Sequence, residues 1–383
     1  MGLCCTACKF HRHLHEYHKQ RGRLPAWCHS KIKSKHHPAG TNTFPKPLSR
    51  VVAFPSMDEM SIPFNPLRED LYTPDALFGA FDPADSTSYE RCADIKILSY
   101  FWRMGTNPTK FTGAATLEAL HDNSISRGIS RYIAKFPNVV AIMGGHGMKR
   151  NDPAYAGVAH IAYELAKSGF LLISGGGPGA MEATHLGAFH SNKSEAELDS
   201  AIALLAKVPQ LPSNVDKLVA KDGSGKIDSQ ISSALHAWLA PALSIVKSIP
   251  LDEQGLSIGI PTWLYGFEPT TPFATLSGKY FQNSIREDGL VTMGVSGIIY
   301  AEGSAGTIQE IFQDAAQNYY GEFCPMIFFS SPAADGQHYW EIKYPVRPLI
   351  QALLDVKKDF ATKVLFTEDA NAVVSFLEKL RRV

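Results

Sequence analysis

Short apolar runs that end in glycines and are followed by helical patterns dominate the sequence from residue 139 onward. Val139–Met143 is a continuous apolar run that stops at a glycine pair, as expected for a strand buried on both faces. Residues 154–168 then place their apolar side chains on one helical face, and Gly169 provides a C-terminal stop. Phe170–Ile173 repeats the apolar run. This order predicts two parallel strands joined by a crossover helix.

The same alternation continues to the end of the chain. After a helix over 180–189, further strands are predicted at 256–260, 297–301, 324–329 and 363–366. Further helices are predicted at 276–287, 307–319, 340–356 and 369–381. The pattern is typical of an α/β protein with a Rossmann-like, doubly wound parallel sheet covered by helices on both faces. We therefore predict a nucleotide-binding domain over residues 136–383.

Two regions fall outside this alternation. Residues 61–135 are rich in proline, aspartate and aromatics and contain helix-like stretches at 89–103 and 114–122, which predicts a mainly helical N-terminal extension. Residues 193–250 interrupt the strand–helix order with two helix-like stretches around a flexible turn. We interpret them as a helical insertion. The sequence leaves open whether either region covers or regulates a site.

Residues 1–60 differ in composition from the rest of the chain. The first 40 residues hold eight Lys and Arg against one Glu, and half of the 14 histidines fall within the first 37. Three interpretations compete: zinc at the Cys5-x-x-Cys8 pair with nearby histidines, lipidation at Gly2 and the adjacent cysteines, and a solvated basic tail. We favour a disordered basic tail, or an over-extended gene start with Met57 or Met60 as the true first residue.

Charge, hydropathy and cysteine content narrow the function further. Basic and acidic side chains are equal in number over 383 residues, so the basic tail leaves the remainder net acidic. A nucleic-acid-binding domain usually carries a basic excess, so we expect no nucleic-acid partner. Apolar runs fall well short of the roughly 18 residues of a membrane-spanning helix, so we expect no membrane partner. Beyond the tail the cysteines are Cys92 and Cys324, too few for a disulfide framework, which favours a reducing cytoplasm.

The first of two glycine loops lies between a predicted strand and the helix over 180–189. Glycines allow a sharp turn and the close approach of a ligand, and the following helix offers N–H groups and the positive end of its dipole. Phosphate or ribose oxygens bind well at such a helix end. The residues of this loop that would approach such a ligand are Gly175, Gly176, Gly177 and Gly179.

The second loop has the same strand–loop–helix setting, and Glu310 lies about one helical turn beyond it. A carboxylate at that position can face a ligand held by the loop. One such loop is equally well explained as a tight turn, but two at the carboxyl ends of parallel strands predict a ligand crevice. The predicted phosphate-binding residues, which supply backbone N–H groups and two hydroxyls, are Gly303, Ser304, Ala305, Gly306 and Thr307.

Both loops resemble those of the Lonely Guy family, formerly called lysine-decarboxylase-like, and of the related bacterial nucleotide 5′-monophosphate nucleosidases. The run Gly177-Pro-Gly-Ala-Met-Glu-Ala183 is similar to the nucleosidase version of the first loop. The resemblance covers residues 136–330 and says little about 1–135 or 193–250. The second loop matches the family pattern P-G-G-x-G-T-x-x-E at Gly303, Gly306, Thr307 and Glu310.

The second loop departs from that pattern at two positions. Glu302 stands in place of the proline, and Ser304 stands in place of the second glycine. A serine still offers an N–H and adds a hydroxyl, whereas the carboxylate of Glu302 repels a phosphate unless it points away. Enzymes of the family also use an arginine shortly before this loop, and Arg286 occupies that place. The alternative for Arg286 is a helix-surface arginine paired with Glu287 or Asp288.

The resemblance implies hydrolysis of the N-glycosidic bond of a nucleoside 5′-monophosphate to free base and ribose 5-phosphate. The transition state at the sugar is oxocarbenium-like, so Glu310 is expected to stabilise it and to orient or deprotonate the attacking water. Arg286 is expected to hold the phosphate or the ribose hydroxyls, and the loop Gly175–Gly179 is expected to line the ribose and base. No cofactor and no metal are expected. A homodimer or higher homo-oligomer is implied by the resemblance alone, and the identity of the base stays open.

Weaker candidates surround these residues. His146 follows the first predicted strand, and Glu182 lies on the helix after the first loop, where it is expected to contact ribose. Asn283 precedes Arg286 by about one helical turn and is expected to share its face. Three aromatic residues lie near another strand end: Trp263, Tyr265 and Phe267. They could stack on a base, but aromatic residues at such positions more often belong to the hydrophobic core.

The main alternative function is nucleotide or cofactor binding on the same fold without turnover. Proteins of this kind include molybdenum-cofactor carriers and nucleotide-responsive regulators. The departures at Glu302 and Ser304 motivate this alternative, and nucleotide binding without release of base would select it.

Overall fold

The computed structural model describes residues 62–106, 109–263, 268–332 and 338–381. The predictions for residues 1–60, including the zinc and lipidation alternatives, lie outside this part of the chain. Seven strands form one parallel sheet: β1 Val139–Met143, β2 Leu171–Ser174, β3 Ser257–Gly259, β4 Leu276–Ser277, β5 Gly297–Tyr300, β6 Met326–Phe329 and β7 Val364–Thr367.

Helices precede, connect and follow these strands. The region before the sheet contains α1 Pro74–Phe78, α2 Ala93–Met104 and α3 Thr112–Ile133. Between β1 and β3 lie α4 Pro153–Lys167, α5 Ala180–Phe189, α6 Glu195–Leu205 and α7 Ser229–Ser248, of which α6 and α7 form the helical insertion. The remaining helices are α8 Asn283–Met293, α9 Ala305–Tyr320, α10 Arg347–Leu354, α11 Phe360–Lys363 and α12 Ala370–Lys379.

The strand order is β4-β3-β2-β1-β5-β6-β7. The chain therefore leaves β1 toward one edge of the sheet and returns to β5, which pairs with the other side of β1. In open α/β sheets a ligand crevice forms at such a reversal, beyond the carboxyl ends of the strands. The loops that follow β1 and β5 are consequently the first place to look for a site.

The sheet is buried on both faces, which explains the continuous apolar runs. Within β1, Val139, Ala141 and Met143 pack into one hydrophobic cluster, while Val140 and Ile142 pack into another on the opposite face. Alternate side chains of a strand point to opposite faces, so each face must be covered by helices. The predicted Rossmann-like α/β fold is confirmed.

The N-terminal extension shares its core with one face of the sheet. Phe64 and Ile125 belong to the same hydrophobic cluster as Ile173 of β2. The backbone of Tyr72 also exchanges two hydrogen bonds with Ser277 of the edge strand β4, at 2.7 and 2.8 Å. The described part of the N-terminal extension is thus fixed to the sheet at its β4 edge.

Three predicted helices have clearly different boundaries in the structure, and the first, the stretch at 114–122, is part of the longer helix α3 Thr112–Ile133. The prediction of a helix over 276–287 was wrong at its start, because residues 276–277 form β4 and the helix begins at Asn283. The prediction over 340–356 was also too long, because α10 begins at Arg347. Pro345 explains this last difference, since a proline disfavours helical geometry in the residue before it.

Candidate functional site

The loops after β1 and β5 meet at the point where the strand order reverses. The N–H of Gly145 donates to the carbonyl oxygen of Glu302 at 2.9 Å. A Cβ atom on Gly145 would lie only 3.2 Å from the Cα of Gly303. Glycine at these positions therefore allows the two loops to pack backbone against backbone and to form the base of a crevice.

The first glycine loop is closely packed. Gly176 and Gly179 both have φ +71°, and a Cβ on Gly179 would lie 2.3 Å from the carbonyl oxygen of Gly145. All residues of the loop are buried. Added Cβ atoms would also lie 3.1 Å from Nη1 of Arg286 at Gly175 and 3.0 Å from Oε2 of Glu268 at Gly177. The loop glycines thus make room for neighbouring groups as well as for the turn.

The second loop is open at the start of α9. Ser304, Ala305 and Gly306 are exposed. Ser304 is the N-cap residue, and its hydroxyl makes no capping hydrogen bond to the helix. A Cβ on Gly306 would meet no atom within 4 Å. Because the first turn of a helix leaves its N–H groups without intrahelical partners, this end of α9 presents donors and the positive end of the helix dipole to an open space.

Glu310 lies one turn into α9 and is half-buried. The pKa of Glu310 is raised to about 7, chiefly by burial and to a smaller extent by the charges of Glu287 and Glu268, while the charge of Arg286 opposes the rise. Arg286 is 5% exposed on α8. The predicted pair of Arg286 and Glu310 is therefore brought together, and it lies among two further carboxylates.

Glu287 connects the two helices that carry this pair. Its Oε1 accepts a hydrogen bond from Nδ2 of Asn283 at 2.6 Å and lies 3.7 Å from Nη2 of Arg286. Its Oε2 accepts from Nε2 of Gln309 at 3.1 Å. Asn283 and Arg286 share a helix face, as their spacing predicts, and both approach the same oxygen of Glu287. Arg286 combines the contact with Glu287 expected of a surface arginine with burial next to the first glycine loop.

Glu268 is a site residue that the sequence did not reveal. Its Oε1 lies 3.1 Å from Nδ1 of His146, and this contact raises the pKa of the His146 imidazole. His146 is more than half exposed at the rim of the crevice, whereas Glu268 is largely buried. The position of Glu268 after β3, at the carboxyl edge of the sheet, could have indicated a site residue. The prediction for this segment considered only the neighbouring aromatic residues.

Glu182 has a structural position that differs from the predicted ribose contact. It is completely buried, and its two oxygens each accept a hydrogen bond from Arg150 at 2.7 Å. The Tyr155 hydroxyl donates to the same carboxylate at 3.1 Å. This ion pair borders a cleft of about 260 Å³ between the first glycine loop and the insertion. The carboxylate is committed to Arg150, because an unpaired charge at this depth would be costly.

Glu302 is directed away from the N-terminal end of α9. Its Oε1 accepts hydrogen bonds from the backbone N–H and the hydroxyl of Ser331, at 2.9 and 2.8 Å. The Tyr339 hydroxyl donates to the carbonyl oxygen of Gly303 from the same side. The glutamate in place of the family's proline is thus held by the loop after β6, which meets the condition that its carboxylate points away.

Of the three aromatic candidates, Trp263 is 3% exposed and packs in the core against Phe281, with ring centroids 5.9 Å apart. Tyr265 and Phe267 lie outside the described residues.

Among the residues that the structure describes, no group of three or more His, Cys, Asp or Glu side chains is placed to hold a metal ion. None of the helices in those ranges is long and apolar enough to cross a membrane.

No protein-family model and no curated protein matches the chain. Among solved structures, the molybdenum cofactor binding protein from the phototrophic bacterium Rippkaea orientalis is similar over 63% of this chain and 96% of its own, with 12% sequence identity and a TM-score of 0.35. A likeness at this level carries no argument about function.

Proposed function

We propose that this protein hydrolyses the N-glycosidic bond of nucleoside 5′-monophosphates to give a free base and ribose 5-phosphate. The observation that supports the proposal is the placement of Arg286 and Glu310 beside the open N-terminal end of α9. The three features needed to bind and cleave a nucleotide, an anion site, a fixed cation and a carboxylate, occur together at the reversal of the strand order.

The 5′-phosphate is assigned to the start of α9. The backbone N–H groups of Ala305, Gly306 and Thr307 belong to the first helical turn, and the helix dipole favours an anion there. The free hydroxyl of Ser304 adds a donor at the rim. The open space at Gly306 is large enough for a phosphate oxygen to approach the backbone.

Glu310 is assigned to the reacting carbon of the ribose. As the glycosidic bond lengthens, positive charge develops on the sugar, and the Glu310 carboxylate stabilises that charge. The same carboxylate accepts a proton from the attacking water as the new carbon–oxygen bond forms. Arg286, whose planar fork suits a phosphate or two ribose hydroxyls, orients the substrate and favours the ionised form of Glu310.

Glu268, whose charge acts on Glu310, and His146 supply a second carboxylate and a cation at the crevice. Glu268 raises the pKa of the imidazole, so protonated His146 is available at a higher pH than a free histidine. A cation there can donate a proton to the base as it leaves, while Glu310 takes the proton of the water.

Binding without turnover remains the second candidate. Its main motivation was the charge of Glu302 next to the phosphate loop, and the hydrogen bonds from Ser331 direct that charge away. Turnover is therefore the better supported function.

Purified protein incubated with a panel of nucleoside 5′-monophosphates tests the proposal, with free base and ribose 5-phosphate separated by chromatography. We expect release of both products from at least one nucleotide, and loss of that release in Glu310→Gln. Calorimetric binding without any release, at enzyme concentrations comparable to the substrate, would select the binding protein instead.

We further propose a cytoplasmic homodimer, which rests on the family resemblance and on the low cysteine content of the described residues, Cys92 and Cys324. Light scattering of the full chain at several concentrations tests the dimer: a mass near 84 kDa, twice the 41.9 kDa of one chain, is expected. A concentration-independent monomer would overturn it.

A further inference from the structure

The N-terminal extension contacts the chain segment that runs from Glu268 to Arg286. Two of its contacts are made by almost fully buried carboxylates, Asp94 on α2 and Asp122 on α3, which are 4% and 1% exposed. Further contacts along the same segment join Ser126 to Tyr280 and Tyr72 to Ser277. The extension therefore holds the segment between two residues of the proposed catalytic site at several points.

Asp94 holds the chain that follows Glu268 at two points, one before and one after β4. Its Oδ1 accepts hydrogen bonds from Nζ of Lys279 at 2.6 Å and from the hydroxyl of Thr270 at 2.9 Å. Its Oδ2 accepts from the Tyr89 hydroxyl at 2.9 Å. Thr270 is only two residues beyond Glu268, so this buried network fixes the backbone that presents the Glu268 carboxylate to His146.

Asp122 holds the chain at the start of α8. Its two oxygens accept hydrogen bonds from the backbone N–H groups of Phe281 and Gln282, at 2.9 and 3.0 Å. Gln282 is the N-cap residue of α8, and its neighbour Asn283 reaches Glu287 on the next turn. One buried carboxylate thus accepts two charge-assisted hydrogen bonds from the backbone at the start of α8 and holds this end of the helix in place.

We propose that the extension positions the catalytic groups, with Asp94 fixing Glu268 and Asp122 fixing the helix that carries Arg286. This inference rests on the proposed nucleotide hydrolysis and assigns a role to a region that the family resemblance does not cover. Neither carboxylate contacts the crevice, so both are positioning residues. Their effect reaches the chemistry through the placement of Glu268 and Arg286 relative to Glu310.

Small displacements of Glu268 or Arg286 matter, because catalysis depends on the alignment of these groups with the substrate. Misplacing a reacting group by about 1 Å can lower a rate by about 100-fold. Loss of Glu268 from its place also removes a negative charge from the surroundings of Glu310, which consist of Arg286, Glu287 and Glu268. The pH dependence of kcat/KM therefore reports the position of Glu268 separately from protein stability.

Three variants separate positioning from folding. Thr270→Val removes one hydroxyl at constant shape and leaves the Lys279–Asp94 pair, Thr270→Ser restores the hydroxyl, and Asp122→Asn replaces one acceptor by a donor. The matched control is Glu118→Gln, because Glu118 is an equally buried carboxylate of the extension whose hydrogen bonds go to Tyr100 and Thr109. Kinetics and amide hydrogen exchange are measured on the full chain.

We expect kcat to fall at least about tenfold in Thr270→Val and about 100-fold in Asp122→Asn, with KM changed less than about threefold. Thr270→Ser is expected to recover kcat, and Glu118→Gln to retain it. The acid limb of kcat/KM is expected to move to lower pH in Thr270→Val. Amides in 268–273 and 281–290 are expected to lose exchange protection in Thr270→Val and Asp122→Asn, respectively.

Full kcat in Thr270→Val and Asp122→Asn despite lost protection would overturn the inference, as would unchanged protection in both. An equal loss of kcat in Glu118→Gln would also overturn it, because the effect would then be general destabilisation. Wild-type protein that releases no base overturns the proposed function instead. In that case the exchange measurements alone decide whether the extension fixes the two segments.

Discussion

The two glycine loops are alike in sequence and setting, yet their glycines serve different purposes. In the first loop every residue is buried, and Cβ atoms on Gly176 and Gly179 would lie 2.8 and 2.3 Å from their nearest neighbours. At the start of α9 the chain is exposed, and a Cβ on Gly306 would meet nothing within 4 Å. The first loop needs its glycines to pack. In the second loop Gly303 also packs, since its Cβ would lie 2.2 Å from Oγ1 of Thr307, and Gly306 alone borders open space.

The glutamates that follow the loops differ in the same way. Glu182 is fully buried and hydrogen-bonded to Arg150 by both oxygens. Glu310 is half-buried, and burial raises the pKa of its carboxyl to about 7. A carboxylate that is satisfied by a partner stabilises the fold, while one with a raised pKa is suited to exchange protons with a substrate.

Exchanging each glutamate for glutamine should give the largest contrast. We expect Glu310→Gln to lower kcat by about 1,000-fold, because the base and the charge at the reacting carbon are lost together. Ionisation of Glu310 opposes folding above its raised pKa of about 7, so this variant should be at least as stable as wild type at pH 8. Glu182→Gln should instead lose about 3–5 kcal/mol, because Arg150 is left buried without its charge partner. Urea unfolding and base release separate the two outcomes, and equal stability losses would contradict the contrast.

Substitution of the glycines tests the loops themselves. Gly306→Val should fold normally but raise KM about tenfold, because the side chain occupies the place of a phosphate oxygen and removes a hydrogen bond to a charged group. Gly179→Ala should destabilise the protein by more than about 2 kcal/mol, because alanine is strained at φ +71° and its Cβ meets a carbonyl oxygen. Thermal melts with steady-state kinetics check both. An unchanged KM in Gly306→Val would remove the phosphate from the second loop.

The pH dependence of kcat/KM follows from the raised pKa of Glu310. The carboxylate form is the base, so activity should increase as pH rises through about 7. On this acid limb the ionised fraction of Glu310 grows about tenfold between pH 6 and pH 8. Activity should fall again where His146 loses the proton that it donates to the base. The residual activity of Glu310→Gln should lack this limb. A limb near pH 4.5 in wild type would show that Glu310 is not the base.

The smallest effect is expected at Glu302. Glu302→Gln keeps an acceptor for Ser331 and removes a charge that is already directed away from α9, so KM should change less than about threefold. A fall in KM of about tenfold or more would mean that the carboxylate repels the phosphate after all. Titration of a nucleotide against both proteins at low ionic strength measures this directly.

Local patterns in the sequence predict the strands and most of the helices. The run Val139–Met143 is reproduced residue for residue, because an apolar strand buried on both faces needs no long-range information. The two-residue strand β4 was missed, since it exists through pairing with β3 and with Tyr72 far away in the sequence. Pro345 indicates that a helix cannot run through from residue 340, yet the predicted helix included it, and α10 begins only at Arg347.

The site shows the same division between local and long-range information. Arg286 and Glu310 are recognisable through the resemblance of the second loop, because Glu310 lies at the family's position after it and Arg286 lies within one residue of the family's spacing before it. Glu268 was missed, because only the fold brings it to His146, and the predicted role of Glu182 lacked its partner Arg150, which lies 32 residues earlier. Side chains whose partners come from distant segments cannot be assigned from spacing alone.

A crystal structure of Glu310→Gln with bound nucleoside 5′-monophosphate tests the central claim most directly. The account predicts phosphate oxygens about 3 Å from the backbone nitrogens at the start of α9, with the anomeric carbon facing residue 310. A phosphate bound at Gly175–Gly179 instead, with residue 310 remote from the sugar, would contradict both the difference between the loops and the proposed mechanism.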